Sequence, residues 1–133
     1  MIRFFVGGLP KSMQIGGVAR FKRAGTVHMV PKRNNTEWAL LVGQIGRAHA
    51  PAQLVQGGVS FTALFYLPRP ATLPKRVTLP LKRPDLDNLT NKLTDQFNGV
   101  FWRDDSQVVD SIHKKRFAEN GRCGVEIRVV EVS

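Results

Sequence analysis

The segment 68–84 constrains the fold most, because it cannot be part of a packed core. It is rich in proline and carries five Lys or Arg residues. Proline fixes φ and removes a backbone donor, so this stretch is unsuited to a helix interior or a central strand. The segment therefore separates an N-terminal part of the chain from a C-terminal part. We expect it to serve as a connector or to present its positive charges to an anionic partner.

The residues before this segment predict four strands and one helix. Runs of β-branched and aromatic residues next to glycines predict strands at 2–6, 18–21, 27–30 and 59–67, with the middle two forming a hairpin. Apolar residues at helical spacing predict a helix over about 35–49. Gly43 and Gly46 lie inside this helical pattern, where they indicate close packing.

The residues after the segment predict a second helix and two further strands. The helix begins at Asp87 or Asn88 and ends at Asn98, and its apolar face consists of Leu86, Leu89, Leu93 and Phe97. The strands 107–117 and 124–132 are expected to form an antiparallel pair that closes the fold. The predicted class is α+β: a small mixed, largely antiparallel sheet packed with two helices, as a single domain over 1–133.

The charge is distributed unevenly along the chain. The net charge is +10, yet residues 1–84 contain the single acid Glu37, whereas residues 85–133 contain nine acids. A basic surface of this size attracts nucleic acid through phosphate contacts that weaken as salt rises. The alternative is that the excess of Lys and Arg only keeps a small protein soluble.

Membrane and secreted classes are disfavoured by the sequence. It has no apolar run of about eighteen residues and no long basic amphipathic helix. Cys123 is the lone cysteine, and the first residues lack the pattern of a secretory signal. We therefore expect a cytoplasmic protein without membrane association.

Four aspartates in this acid-poor chain indicate a metal site. Asp85 and Asp87 lie two residues apart, so in an extended chain their side chains point the same way. Two carboxylates about 5 Å apart repel by roughly 3 kcal/mol at an effective dielectric near 20, and a cation would offset this. Carboxylates without a companion His or Cys favour Mg²⁺, with Mn²⁺ as the second choice. If Asp104 and Asp105 fold back against the first pair, the bound metal can activate water and stabilise the leaving oxygen of a phosphodiester.

Each of these residues also has a plainer interpretation. Asp87 can cap a helix, and Asp104 and Asp105 can shape a turn before a strand. Lys92 lies on the polar side of the predicted helix, where it can stabilise charge on a phosphate in the transition state. It can equally be an ordinary exposed helix lysine.

Two stretches of the chain resemble the RusA family of Holliday-junction resolvases. They are Arg83-Pro84-Asp85-Leu86-Asp87-Asn88-Leu89 with Asp95, and Gly99-Val100-Phe101-Trp102-Arg103-Asp104-Asp105-Ser106-Gln107-Val108-Val109. The resemblance is specific over about 82–116. It implies a small homodimeric α+β endonuclease, bacterial or prophage-encoded, that uses Mg²⁺ to cut four-way DNA junctions in recombination and repair.

The resemblance also implies which residues act. The metal-binding and catalytic carboxylates fall on Asp85, Asp87 and Asp105, with Asp104 as a further contributor. The family lysine falls on Asn91, and Lys92 is one step further on. Successive residues of a helix are 100° apart around its axis, so Lys92 would point in a different direction from a lysine at position 91. An altered or slower activity is therefore expected.

Two other functions compete with this one. The first is a basic DNA-binding protein without catalysis, in which the aspartates only shape the backbone. The second is a nuclease of the PD-(D/E)xK kind, but the acid-x-Lys triplet is absent after the first aspartate. A dimer agrees with the junction hypothesis, because a C2 pair would present two equal sites to two equivalent strands.

Overall fold

The computed structural model describes residues 1–12, 18–31 and 36–133. The strands are β1 (Ile2–Gly7), β2 (Val18–Arg23), β3 (Thr26–Pro31), β4 (Gly58–Leu67), β5 (Val108–Phe117) and β6 (Gly124–Val132). The helices are α1 (Thr36–Ala48) and α2 (Leu86–Thr90), followed by a first 3₁₀ turn (Thr94–Phe97) and a second 3₁₀ turn (Asp105–Gln107). The predicted strands and the first helix are confirmed within a few residues, although residue 35 lies outside the described part.

Four strands form one mixed sheet in the order β1-β6-β4-β5. The pairs β1/β6 and β6/β4 are antiparallel, and β4/β5 is parallel. The predicted hairpin is also confirmed, since β2 and β3 pair antiparallel as a separate two-stranded unit. A mixed, largely antiparallel sheet with two helices confirms the α+β class.

The predicted pairing of the last two strands is wrong. β4 lies between β5 and β6 and hydrogen-bonds to both of them. Ser111, His113 and Lys115 of β5 are opposite core residues of β4 in register, so the inner face of β5 is partly polar. A strand of this kind fits the edge of a sheet, whereas β4 buries every second side chain and occupies an inner position.

The predicted second helix is interrupted. α2 ends at Thr90, where the hydroxyl donates to the carbonyls of Leu86 and Asp87 at 3.1 and 3.2 Å. Asn91 then adopts ψ 129° and Lys92 adopts φ 64°, and neither value is helical. The helix also starts earlier than predicted, with Asp85 at the N-cap position. The apolar spacing correctly predicted the buried side chains Leu89, Leu93 and Phe97, but it did not predict the break in the helix at residues 91 and 92.

The core lies on one face of the sheet, beneath the helices and turns. An aromatic cluster fills its centre, with Phe61 and Trp102 in an edge-to-face contact at 5.9 Å and Phe97 and Phe101 5.1 Å apart. All four side chains are fully buried. The predicted close packing at Gly46 is confirmed, because a Cβ there would lie 2.7 Å from Cε1 of Phe97.

None of the helices in the described ranges is long and apolar enough to cross a membrane.

Candidate active site

The basic segment 68–84 is folded against the end of the sheet. The guanidinium of Arg69 donates to the carbonyls of Val77 and Pro74 and lies over the ring of Phe117 at 5.2 Å. Arg69 therefore stabilises the segment through its own hydrogen bonds and a cation–π contact. These contacts of Arg69 support the predicted role of the segment as a connector, while its other four bases are exposed.

The end of this segment brings the chain to Asp85. Lys115 of β5 donates from Nζ to the carbonyls of Lys82 and Pro84, each at 3.0 Å. These two hydrogen bonds tie the residues just before Asp85 to the edge strand of the sheet. Lys115 does not stand out in the sequence, because its inward position depends on the register of β5.

Asp85 and Asp87 are exposed at the start of α2. Asp85 occupies the N-cap position without a capping hydrogen bond from its side chain, so capping does not use its carboxylate. Asp87 accepts from the backbone N–H of Asn88 at 3.0 Å. Buried Leu89 anchors the same short helix in the core. The two exposed carboxylates thus lie at the start of a short helix that is anchored in the core by Leu89.

An open pocket lies beside Asp85. Its wall is mainly apolar, and its lining includes Leu73, Val77, Leu79, Pro80, Leu81 and Phe117. Lys82 and Arg83 also line it, next to Asp85 and Asn88. The Asp85 carboxylate therefore borders a concave surface that also has the basic residues Lys82 and Arg83 in its lining.

Asp104 and Asp105 lie in a turn with a defined hydrogen-bond pattern. The Asp104 carboxylate accepts from the Ser106 N–H at 3.3 Å, and Oε1 of Gln107 accepts from the N–H groups of Arg103 and Asp104. This is a capping box for the second 3₁₀ turn. Gln107 also donates from Nε2 to two carbonyls ahead of β4, those of Val55 and Gly57, at 2.8 and 3.0 Å. The predicted turn before a strand is confirmed, and Gln107 fixes it to the sheet.

The carboxyl groups in this region influence one another. The pKa of Asp105 is raised, first by its hydrogen bond with Asp95, then by desolvation and by the negative charges of Asp104 and Asp95. The pKa of Asp104 is lowered, chiefly by hydrogen bonds from Ser106. Lys92 lies 4.0 Å from Asp95 through its Nζ, and both side chains are substantially exposed. Asp105 is therefore close to other negative charges, and a bound cation would reduce the repulsion among them.

The structure brings together some of the predicted residues and not others. Asp85 is near Asp87, and Asp105 is near Asp104 and Asp95. Over residues 1–12, 18–31 and 36–133, no group of three His, Cys, Asp or Glu side chains lies close enough to hold a metal ion. Convergence of the two aspartate pairs thus stays a prediction. Asp95 joins the site through its contact with Asp105, whereas in the sequence it stood out only as part of the RusA resemblance.

The chemistry of these donors fits a hard divalent cation. The site side chains are exposed carboxylates, and Asp105 lies beside Asp95 and Asp104, which raise its pKa. Carboxylate oxygens are the ligands that Mg²⁺ and Mn²⁺ prefer.

Comparisons with known proteins identify the family of the chain. The model of the family described as endodeoxyribonuclease RusA matches residues 16–129. An uncharacterized protein of Bacillus subtilis (strain 168), YqaN, is 30% identical, and the match covers 97% of this chain and 96% of that protein. The family match covers both aspartate pairs and every strand except β1 and the end of β6. The chain therefore belongs to the RusA endodeoxyribonuclease family.

Proposed function

We propose that this protein is a divalent-metal-dependent endonuclease that resolves four-way DNA junctions in recombination and repair. The observation that carries the proposal is the crowding of Asp105 by Asp95 and Asp104 in a chain whose net charge is +10. Uncompensated acid on a basic protein is suited to hold a cation next to a polyanion. Family membership supplies the class of reaction, which is cleavage of DNA.

In this proposal Asp85, Asp87 and Asp105 hold Mg²⁺, which Mn²⁺ can replace. When bound, the metal supplies an activated water and neutralises charge on the cleaved phosphate. The carboxylate of Asp85 is available for this role because it does not cap α2. Asp104 already accepts a hydrogen bond from the Ser106 N–H, so it contributes mainly by shaping the turn.

Lys92 is proposed to stabilise the charge that develops on the phosphate. Its amine lies beside Asp95, which in turn contacts Asp105. The left-handed backbone at Lys92 places its side chain in a different direction from the one that a continuous helix would give. The side chain therefore approaches from the side of the second aspartate pair. Lys92→Ala is expected to slow cutting and to leave junction binding nearly unchanged.

DNA is proposed to bind along the exposed bases of segment 68–84. Lys75, Arg76, Lys82 and Arg83 are all exposed there, and the last two border the pocket beside Asp85. Contacts of this type act on phosphates and select shape rather than sequence. We propose a homodimer with C2 symmetry, because two equal sites match two equivalent strands of a junction. We place this enzyme in the cytoplasm of a bacterium, encoded by the host or by a prophage.

A second candidate function is DNA binding without catalysis. It is favoured by one observation: among the described residues, no group of three His, Cys, Asp or Glu side chains is arranged to hold a metal ion. In that case Asp104 serves the turn and Asp85 only begins α2.

The test is cleavage of a synthetic four-way junction, with a linear duplex beside it, in the presence and absence of Mg²⁺. We expect symmetric nicks near the crossover, only with metal and only in the junction. Asp85→Asn should abolish the nicks while junction binding survives or strengthens, because a negative charge facing phosphate is removed. Glu119→Gln is the matched control, since Glu119 is an exposed acid in the link between β5 and β6. A wild-type protein that binds the junction but leaves it uncut with Mg²⁺ across a range of salt would establish the second candidate instead.

A further inference from the structure

Lys115 is a cation on the inner face of the edge strand. In the β4/β5 register it is opposite Phe65, a core residue that is 1% exposed. Its own side chain is partly buried, and the next inward residues on either side are His113 and Phe117. Placing an ammonium beside a core costs free energy unless hydrogen bonds compensate it. A lysine at this position therefore needs partners, and the structure supplies them.

The two partners are backbone carbonyls of one short loop. Nζ of Lys115 lies 3.0 Å from the carbonyl of Lys82 and 3.0 Å from that of Pro84. An ammonium has three donors, so these bonds occupy two of them. Hydrogen bonds with a charged donor are roughly twice as strong as neutral ones. One side chain thus fixes two carbonyls that are two residues apart, and Asp85 follows the second directly.

The residues in the position of the family lysine do not provide this contact. Asn91 ends α2 and carries no charge, and Lys92 pairs with Asp95. Lys115, by contrast, donates to the carbonyl of Pro84, directly before the N-cap residue Asp85. We propose that Lys115 is a positioning residue that fixes Asp85 for metal binding, an inference that rests on the proposed function.

Lys114 offers a matched control. It is the preceding residue of the same strand, it is exposed, and it is opposite Leu64, on the other face of the sheet. Lys114→Met and Lys115→Met remove the same charge from adjacent positions. A general effect of net charge would act on both variants alike, strengthening Mn²⁺ binding and weakening junction binding, whereas a loss of Mn²⁺ binding through positioning is confined to Lys115→Met.

The experiment measures Mn²⁺ binding by calorimetry on the full chain, together with single-turnover junction cleavage. Lys115→Met should weaken Mn²⁺ binding by about tenfold or more, the range found when outer-shell partners of metal ligands are removed. It should also lower the single-turnover rate constant and raise the Mg²⁺ concentration for half-maximal cutting, with little change in junction affinity. Lys114→Met should match the wild type in Mn²⁺ binding. Lys115→Arg, which keeps the charge and the donors, should recover part of the loss.

Several results would overturn the inference. Equal Mn²⁺ constants for the two methionine variants would do so, and so would a loss of junction affinity by Lys115→Met without any change in Mn²⁺ binding, which would make Lys115 a phosphate contact. If Lys115→Met does not fold, Lys115→Arg is compared with the wild type, and unchanged Mn²⁺ binding with full loss of cutting would also overturn it. A wild type that binds Mn²⁺ but never cuts refutes the proposed function, while the ratio of Mn²⁺ constants still decides the role of Lys115.

Discussion

The buried anchors and the exposed acids of the site come from the same short segments but are held in opposite ways. Leu89, Phe97 and Trp102 are fully buried. Asp87, Asp95 and Asp104 lie two residues away from them and are exposed. Each anchor is held by the close packing of the core, whereas each acid is held by one or two hydrogen bonds and borders solvent.

This difference shows how short pieces of irregular structure can carry a site. α2 has five residues, and the 3₁₀ turns after it have four and three. Elements this short are not stable alone, so their positions depend on buried neighbours. These are Leu89 in α2, Phe97 in the first 3₁₀ turn, and Trp102 three residues ahead of the second turn, which has no buried residue of its own. Loss of an anchor should therefore affect both the fold and the acids, whereas loss of an acid should affect only the charge.

The largest effect is expected at Trp102. Its ring packs against Phe61 and Phe101, and Nε1 donates to Oδ1 of Asn98 at 2.8 Å. Trp102→Ala should lower the free energy of unfolding by about 3–5 kcal/mol, measured by urea denaturation. If the variant keeps wild-type Mn²⁺ binding, the anchors do not position the acids. Trp102→Phe should cost less, because the ring contact is partly kept.

A smaller loss is expected at Gly46 of α1. A Cβ there would lie 2.7 Å from the Phe97 ring, so Gly46→Ala should lower the free energy of unfolding by about 1–3 kcal/mol. Gly43→Ala in the same helix is the control. Its Cβ would meet only the flexible ends of Arg47 and Gln96, at 3.2 and 3.3 Å, and alanine favours helix by about 1 kcal/mol. Equal losses for the two variants would contradict the assigned contact with Phe97.

Much of this fold is contained in local patterns of the sequence. Strands, the hairpin and α1 follow from spacing and from glycine and proline positions, and all were predicted. The insertion of β4 between β5 and β6 was not, because strand neighbours in the chain need not be neighbours in the sheet. The break at Asn91 and Lys92 was also missed, since the apolar spacing of Leu89, Leu93 and Phe97 is nearly the same with and without it.

The metal site itself stays a prediction. Asp85, Asp87 and Asp105 follow from the motif, but whether they meet depends on backbone geometry that no local pattern contains. Lys115 belongs to a run of three bases, Lys114-Lys115-Arg116. Which of the three points inward is decided by the register with β4, so the sequence could not single it out.

Substitution of Gln107 is expected to have an effect between those of the buried anchors and the exposed acids, because this polar side chain holds its turn in place. Its side chain accepts from two N–H groups and donates to two carbonyls. Gln107→Ala should cost about 1–3 kcal/mol of unfolding free energy and slow junction cutting, because the turn with Asp104 and Asp105 is released. Gln56→Ala is the control, since exposed Gln56 makes one such bond, to the carbonyl of Leu54. A loss no larger than that of Gln56→Ala would show that the turn is stable without this side chain.

The smallest effects on stability are expected at the exposed acids Asp104 and Asp105, and the two substitutions should shift the thermal midpoint in opposite directions. The pKa of Asp105 is raised in the folded state, so the fold binds its proton more tightly than the unfolded chain does, and stability from this group is lost as pH rises through that pKa. Asp105→Asn should therefore raise the thermal midpoint slightly at neutral pH without metal. The pKa of Asp104 is lowered, so its contribution is present above the ordinary pKa of an aspartate and is lost as pH falls through the folded pKa. Asp104→Asn should lower the midpoint at neutral pH.

Thermal melts of the wild type, Asp104→Asn and Asp105→Asn from about pH 3 to pH 7 separate these two contributions. Both variants remove one negative charge from neighbouring positions, so a change of net charge alone would shift both midpoints in the same direction. Opposite shifts that shrink as pH falls and the carboxyls take up protons would mean that local contacts decide the sign. Added Mg²⁺ should then stabilise the wild type more than Asp105→Asn, because the charge that destabilises the metal-free protein is the charge that binds the cation. Equal stabilisation of the two proteins by Mg²⁺ would remove Asp105 from the set of metal ligands.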